Sequence, residues 1–276
     1  MQCISFDEQF QRYTEQWAAE NAAHYRNNYD AMEEKMPEVY MRWLNTPADW
    51  LNGATPGAFF SQYSDAGMLI DWLRAYFVNR VPVPEQLLER IVDLGGTAQA
   101  PLYALLTGAD TPGEAVLTAI SLLVELQSAL PMDLYITWVA ERQTQDERAD
   151  MAAEALVAMG RAVVPGVLAA VPHATPSGQE TFTDVLCNFP GEEQIYALAL
   201  SMFLNRPCNR ALYASLLGKL GDARALPALL AVMDAPALNY LDYIELRNAI
   251  EALGGDPPPE RSFDGDPYYE SLRRME

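Results

Sequence analysis

The stretch Ser215-Leu-Leu-Gly-Lys-Leu-Gly-Asp-Ala-Arg-Ala-Leu-Pro-Ala-Leu-Leu230 sets the reading of the whole chain. An apolar run at helical spacing ends in Leu-Gly, a short polar turn follows, and a proline six residues past Gly221 opens a second apolar run. Glycine supplies the left-handed conformation that closes a helix without steric cost. Proline fits the first turn of the next helix, where its missing N–H is no loss. The pattern therefore predicts two short helices joined by a tight turn. It recurs in Arg90-Ile-Val-Asp-Leu-Gly-Gly-Thr-Ala-Gln-Ala-Pro-Leu-Tyr-Ala-Leu-Leu106 and in Glu154-Ala-Leu-Val-Ala-Met-Gly-Arg-Ala-Val-Val-Pro-Gly-Val-Leu168.

Gly95, Gly160 and Gly221 are separated by 65 and 61 residues, twice about 32. A true repeat leaves weaker copies at the midpoints, and it does. Leu123-Val-Glu-Leu-Gln127 lies 32 residues after Gly95, with Pro131 four residues on, and Val185-Leu-Cys-Asn-Phe-Pro190 lies 30 after Gly160. Gly254 stands 33 after Gly221, and Tyr63 stands 32 before Gly95. The junctions thus form the series 63, 95, 127, 160, 190, 221, 254. Pro84, Thr111-Pro112 and Thr175-Pro176 mark the starts of first helices, where threonine or the preceding residue caps and proline occupies the first position. Two short helices cannot bury their apolar faces alone, so such units stack on one another.

This pattern resembles the HEAT repeat family, in particular the short HEAT-like units of bacterial proteins and of bilin-lyase-type proteins. Leu216 to Met233 followed by Arg247 to Gly255 matches best. The resemblance implies an all-α fold, an armadillo-like α-solenoid of about six to seven helix pairs over residues 55–255. Proteins of this family are mostly scaffolds and binders; a minority act on bilins or on damaged DNA. The first expectation is therefore a non-enzymatic scaffold or adaptor that binds a partner protein or peptide. The alternative is a HEAT-like enzyme of the bilin-lyase or DNA-glycosylase type.

The ends depart from the repeat. Residues 1–54 read as an N-terminal helical cap, with one long helix from Asp7 to Lys35 carrying Phe10, Tyr13, Trp17, His24 or Tyr25, and Met32. Pro37 breaks it, and Glu38 to Asn45 restarts it. At the other end Asp256-Pro-Pro-Pro259 prevents a normal second helix. Residues 256–276 read as a proline-rich linker and a tail in which Phe263, Tyr268, Tyr269 and Leu272 fold back over the exposed edge.

Composition narrows the function. The 276 residues are 50% hydrophobic and 20% charged, a globular balance, and 38 acids against 18 bases give a formal net charge of −20. That charge excludes a general nucleic-acid binder, speaks against the DNA-acting alternative, and disfavours docking on anionic lipid. Cys3, Cys187 and Cys208 form neither a disulfide framework nor a metal motif. The N-terminus has no basic or apolar leader, and the greasiest stretch, Met151 to Val171, contains Glu154, Gly160, Arg161 and Pro165. The expectation is a cytoplasmic protein with no membrane partner.

A search for chemistry returns no catalytic residue, no metal site and no cofactor. The Gly-Gly pairs end helices and not strands, and His24 and His173 lie far apart in sequence. His173 reads as a loop residue and Cys187 as a small core residue. Cys208, beside Arg206 and Arg210, is the one thiol whose neighbours favour a thiolate. Glu141, Asp146, Glu147 and Asp150 fit a helix start. Asp264-Gly-Asp266 lacks the rest of a calcium loop.

What remains is the second helix of each pair, which is nearly free of charge in Pro101–Leu106, Asp133–Ala140, Pro165–Val171, Ile195–Leu204 and Pro227–Met233. In HEAT-type arrays these helices line the concave surface. The resemblance would place Leu102, Leu105, Leu106, Trp138, Leu200 and Val232 there as candidate partner-binding residues. Three arrangements would cover them: tight packing against neighbouring second helices, an apolar groove filled by a partner's helix or peptide, or a second copy of the chain.

Overall fold

The computed structural model describes residues 2–25, 28–233, 235, 238–259 and 261–274. Among them there are α-helices and short 3-10 turns and no strand, so the fold is all-α. The chain divides into two compact units, residues 1–131 and 132–276.

In the first unit, α1 (Phe6–Tyr25), α2 (Tyr29–Glu33) and α3 (Met36–Leu44) precede three 3-10 turns between Asp49 and Gln62; α4 (Ala66–Val78), α5 (Glu85–Asp93), α6 (Gly96–Thr107) and α7 (Gly113–Glu125) follow. The single long helix expected over 7–35 is not formed: α1 ends at Tyr25. α2 starts afresh on Asn28, whose side-chain carbonyl accepts from the Ala31 N–H. Pro37 does not break a helix; it sits in the first turn of α3, where it costs no hydrogen bond. Phe6, one residue before the expected start, is the hub. Its ring meets Trp50 at 5.1 Å, Phe60 at 5.7 Å and Trp43 at 6.1 Å. Trp72 of α4 joins through Phe60 at 5.2 Å and donates its indole N–H to the Gln2 carbonyl at 3.2 Å. The Tyr76 hydroxyl donates to the Ile4 carbonyl at 3.2 Å. Gln2 and Ile4 are thus tied to a helix some seventy positions on.

The second unit contains α8 (Met132–Ala140), α9 (Glu147–Ala158), α10 (Val164–Ala170), α11 (Pro176–Cys187), α12 (Glu193–Asn205), α13 (Arg210–Leu220), α14 (Leu226–Met233), α15 (Tyr240–Ala252) and α16 (Pro267–Arg273). Contacts run to near neighbours in sequence. α9 lies on α11, α11 on α13 and α13 on α15, while α8 packs on α9 and α10, α12 on α13, and α14 on α15.

The expected junctions are visible in the backbone. Positive φ occurs at Gly95 (57°), Gln127 (50°), Gly160 (75°), Gly191 (101°), Gly221 (74°) and Gly254 (77°). Five of the seven positions read from sequence coincide, and a sixth, Pro190, is displaced by one residue to Gly191; Tyr63 is extended, with φ −103°. Side-chain bonds repeat the same interval. Thr175 Oγ1 donates to the Arg142 carbonyl 33 residues back, Ser128 to Gln99 across 29, and Arg224 to Glu193 across 31. The helix starts differ in how they are capped. Thr175 accepts from the Gly178 N–H with Pro176 next to it, as expected, whereas α5 and α7 begin after Pro84 and Pro112 with no side-chain cap. Gly178 is required by closeness: a Cβ there would overlap the carbonyl oxygens of Val139 and Ala140 at the end of α8.

The tail lies against α15. Phe263 is buried and meets Tyr243 at 4.8 Å and Tyr240 at 5.2 Å, and Asp266 accepts from the Tyr240 N–H at 3.1 Å.

One buried charge ties two units of the repeat. Asp242, 9% exposed, caps the start of α13 from the neighbouring α15: its Oδ1 accepts from the Ala211 N–H at 3.0 Å and its Oδ2 from Asn239 at 3.0 Å. The nominal cap residue of α13, Asn209, makes no such bond. Asp242→Ala should therefore lower stability by about 1–2 kcal/mol, the loss of a cap. A change in the urea midpoint with an unchanged slope checks this.

Candidate functional site: a carboxylate-rimmed groove

The six residues singled out in the sequence fall into two groups. Leu102, Leu105 and Leu106 lie on α6 in the first unit; Trp138, Leu200 and Val232 lie on α8, α12 and α14 in the second. Leu102, Leu105, Leu106 and Trp138 are buried, whereas Leu200 and Val232 keep part of their surface. Trp138, 7% exposed, packs on Tyr135 at 5.8 Å and beneath the Arg148 guanidinium at 4.7 Å. Among these six, the buried four hold helices together and offer no docking surface.

The open groove lies elsewhere, across α9, α11 and α13, the first helices of three successive pairs. It has a volume of about 420 Å³, within the usual range for a binding cleft. Its rim is built by spacing. Asp150 and Glu154 are four apart on α9, and Glu180 and Asp184 are four apart on α11, so each pair projects from one helical face. The two pairs are also related by the repeat, each residue of α9 having its counterpart thirty positions on. Stacking neighbouring units therefore brings four carboxylates to one opening. Ala153, Val157, Val185 and Leu212 supply the apolar lining, and Leu212, 39% exposed, is left half open at one wall.

Cations hold this rim in place. Arg142 pairs with Asp150; Arg206 approaches Glu180 at 3.8 Å; Lys219 donates to Asp184 at 2.7 Å. Asn209 donates to Glu180 and Arg206 to Gln179. Glu154 makes no ion pair among the described residues. Each exposed pair contributes at most about 1 kcal/mol, so these contacts orient carboxylates more than they stabilise the fold. Ser177 and Thr181, the hydroxyls at the groove, are linked locally: Thr181 Oγ1 donates to the Ser177 carbonyl.

Among the described residues no group of three or more His, Cys, Asp and Glu side chains is arranged to hold a metal ion. Burial pushes the Cys187 thiol up to about 12, opposed by Lys219, so at neutral pH it stays protonated and unreactive. Cys208 is exposed, and its neighbour Arg206 is engaged with Gln179 and Glu180. His173 ends a 3-10 turn and is exposed. No single helix among the described residues is long and apolar enough to cross a membrane. Glu147–Ala158 and Gly160–His173, which together would be, are bent by 119°.

The groove escaped the sequence reading, which took the acids around 141–150 as a helix start and did not compare them with those thirty residues on. The repeat register, applied to charged positions as it was to glycines, would have found it. No family model, curated protein or solved structure matches this chain.

The burial of Trp138 has a measurable consequence. Trp138→Ala should cost about 3–5 kcal/mol, the range for emptying a core aromatic site. A midpoint shift well below that range, with the helical signal retained, would mean the indole is a surface anchor.

Proposed function

We propose that this protein is a non-enzymatic interaction module, a HEAT-like α-solenoid, and that the α9–α11–α13 groove takes a basic, amphipathic segment of a partner protein. One observation carries the reading: four repeat-related carboxylates, Asp150, Glu154, Glu180 and Asp184, rim an apolar-lined cleft with Leu212 half open beside it. A segment with leucine-like side chains along one stripe and lysine or arginine beside it satisfies both halves of the cleft. Glu154 offers a carboxylate that makes no ion pair among the described residues, and a partner's cation would share Asp184 with Lys219. The net charge of −20 adds a long-range field that attracts a basic partner and speeds encounter. The near-neighbour contacts, the junctions with positive φ and the hydrogen bonds that recur at the repeat interval support the solenoid reading. A cytoplasmic setting with reduced thiols belongs to the same proposal.

The test compares captures from lysate by the wild-type chain, by Glu154→Lys, by Leu212→Glu and by Glu89→Lys. The last makes the same charge change on α5, outside the groove. The expected outcome is a protein retained by the wild type and by Glu89→Lys but lost at least about tenfold, or 1.4 kcal/mol, by both groove variants. Its cross-links should fall on a segment rich in lysine or arginine. Equal capture by all four chains removes the groove from the account.

A further inference from the structure

The first unit carries a second groove of different chemistry. It has a volume of about 240 Å³ and lies between α1 and the loop after α3, with Tyr13, Trp43, Trp50 and Pro47 on its walls and Gln9 and Arg12 at its edge. Trp43 and Trp50 are stacked, with centroids 6.5 Å apart and planes 21° from parallel. Tyr13 and Trp50 are partly exposed, whereas Trp43 behind Trp50 is buried. Neither indole N–H makes a hydrogen bond among the described residues, and neither is among the buried unpartnered groups. The walls therefore offer ring faces and hydrogen-bond donors. Arg12 adds a positive charge that is weakly held, since Glu8 is 4.0 Å away and both side chains are 69% exposed.

We propose that this groove binds the segment Asp256–Pro259 of a second copy of the chain. Three successive prolines have no N–H and present only carbonyl acceptors and flat rings, which is what aromatic walls with free indole donors accommodate. In extended form they span about 9 Å. Asp256, immediately before them, supplies the negative charge for Arg12. Asp256 and Pro259 are exposed, and Pro257 and Pro258 are partly so. The segment is already fixed on both sides. The Gly255 N–H donates to the Ile250 carbonyl at 2.8 Å, and Arg261 donates to the carbonyls of Ala235 and Leu238 at 3.1 and 3.3 Å. A ligand held in this way loses little conformational entropy on docking. Groove and segment are different surfaces of one chain, so the contact is head-to-tail. It is independent of the carboxylate groove.

Sedimentation velocity of the full chain over micromolar to millimolar concentration tests the proposal. A synthetic peptide of residues 255–261 serves as competitor, and tryptophan fluorescence reports its binding. Self-association that rises with concentration and is reversed by the peptide is expected. Arg12→Glu, a change at an exposed position, should weaken it about tenfold, and Trp50→Ala should abolish it with the helical signal retained. Arg12→Glu combined with Asp256→Arg should restore association to within about twofold of the wild type. A chain that stays monomeric throughout overturns the proposal. So does association indifferent to Arg12→Glu, or peptide binding without self-association, which would assign the groove to another protein's proline-rich segment.

Discussion

The constraint on which the rest depends is a chain reversal about every 32 residues through a residue of positive φ. At each reversal a helix is stopped by a conformation that L side chains adopt only at a cost; after Gln127, Gly160 and Gly221 the next helix starts at a proline, whereas Pro101 lies inside α6 and α12 starts without one. Because the interval hardly varies, side chains one period apart meet. The period therefore determines more than the path of the backbone. It decides that Thr175 finds the Arg142 carbonyl, that Arg224 finds Glu193, and that Asp242 caps a helix it does not belong to.

The same rule produces the two surfaces of functional interest by opposite routes. The carboxylate groove is a product of the repeat: a pair of acids on α9 is copied onto α11, and stacking multiplies two charges into four around an apolar cleft. The aromatic groove lies where the repeat has not begun. There the chain is held by ring contacts around Phe6 and by bonds from the first few residues to Trp72 and Tyr76, not by a regular helix pair. There Trp50 and Tyr13 keep part of their surface, while Trp43 beside them is buried.

Much of the architecture was legible because glycine and proline report backbone conformation directly. Gly95, Gly160, Gly221 and Gly254 marked their own junctions, and spacing alone located Gln127, which composition would never have nominated. Of the four tail residues expected to fold back, Phe263 is buried against Tyr243 and Tyr269 meets Tyr240 at 4.8 Å, whereas Tyr268 and Leu272 are exposed. The region from Asp49 to Gln62 was not legible, because 3-10 turns leave no helical period. The break at Asn28 was missed for a related reason: Asn28 fits a helical pattern in sequence, and what marks the new start is a capping event. At the functional level, absence of charge pointed to Leu102, Leu105, Leu106 and Trp138, which are buried, and to Leu200 and Val232, which keep part of their surface without forming a groove with them. The informative charges lay on the first helices, and they required the repeat register to be seen as a group.

The central claim, that positive φ at the junctions sets the frame, is tested most directly by the opposite substitutions Gln127→Gly and Gly221→Ala. Nothing lies within 4 Å of a Cβ built on Gly221, so the alanine there meets only the backbone penalty. Urea unfolding should show Gly221→Ala destabilised by about 1 kcal/mol and Gln127→Gly stabilised by roughly 0.5–1 kcal/mol, since glycine relieves the strain that glutamine bears at φ 50°. Destabilisation by both changes, or no effect of either, would contradict the account.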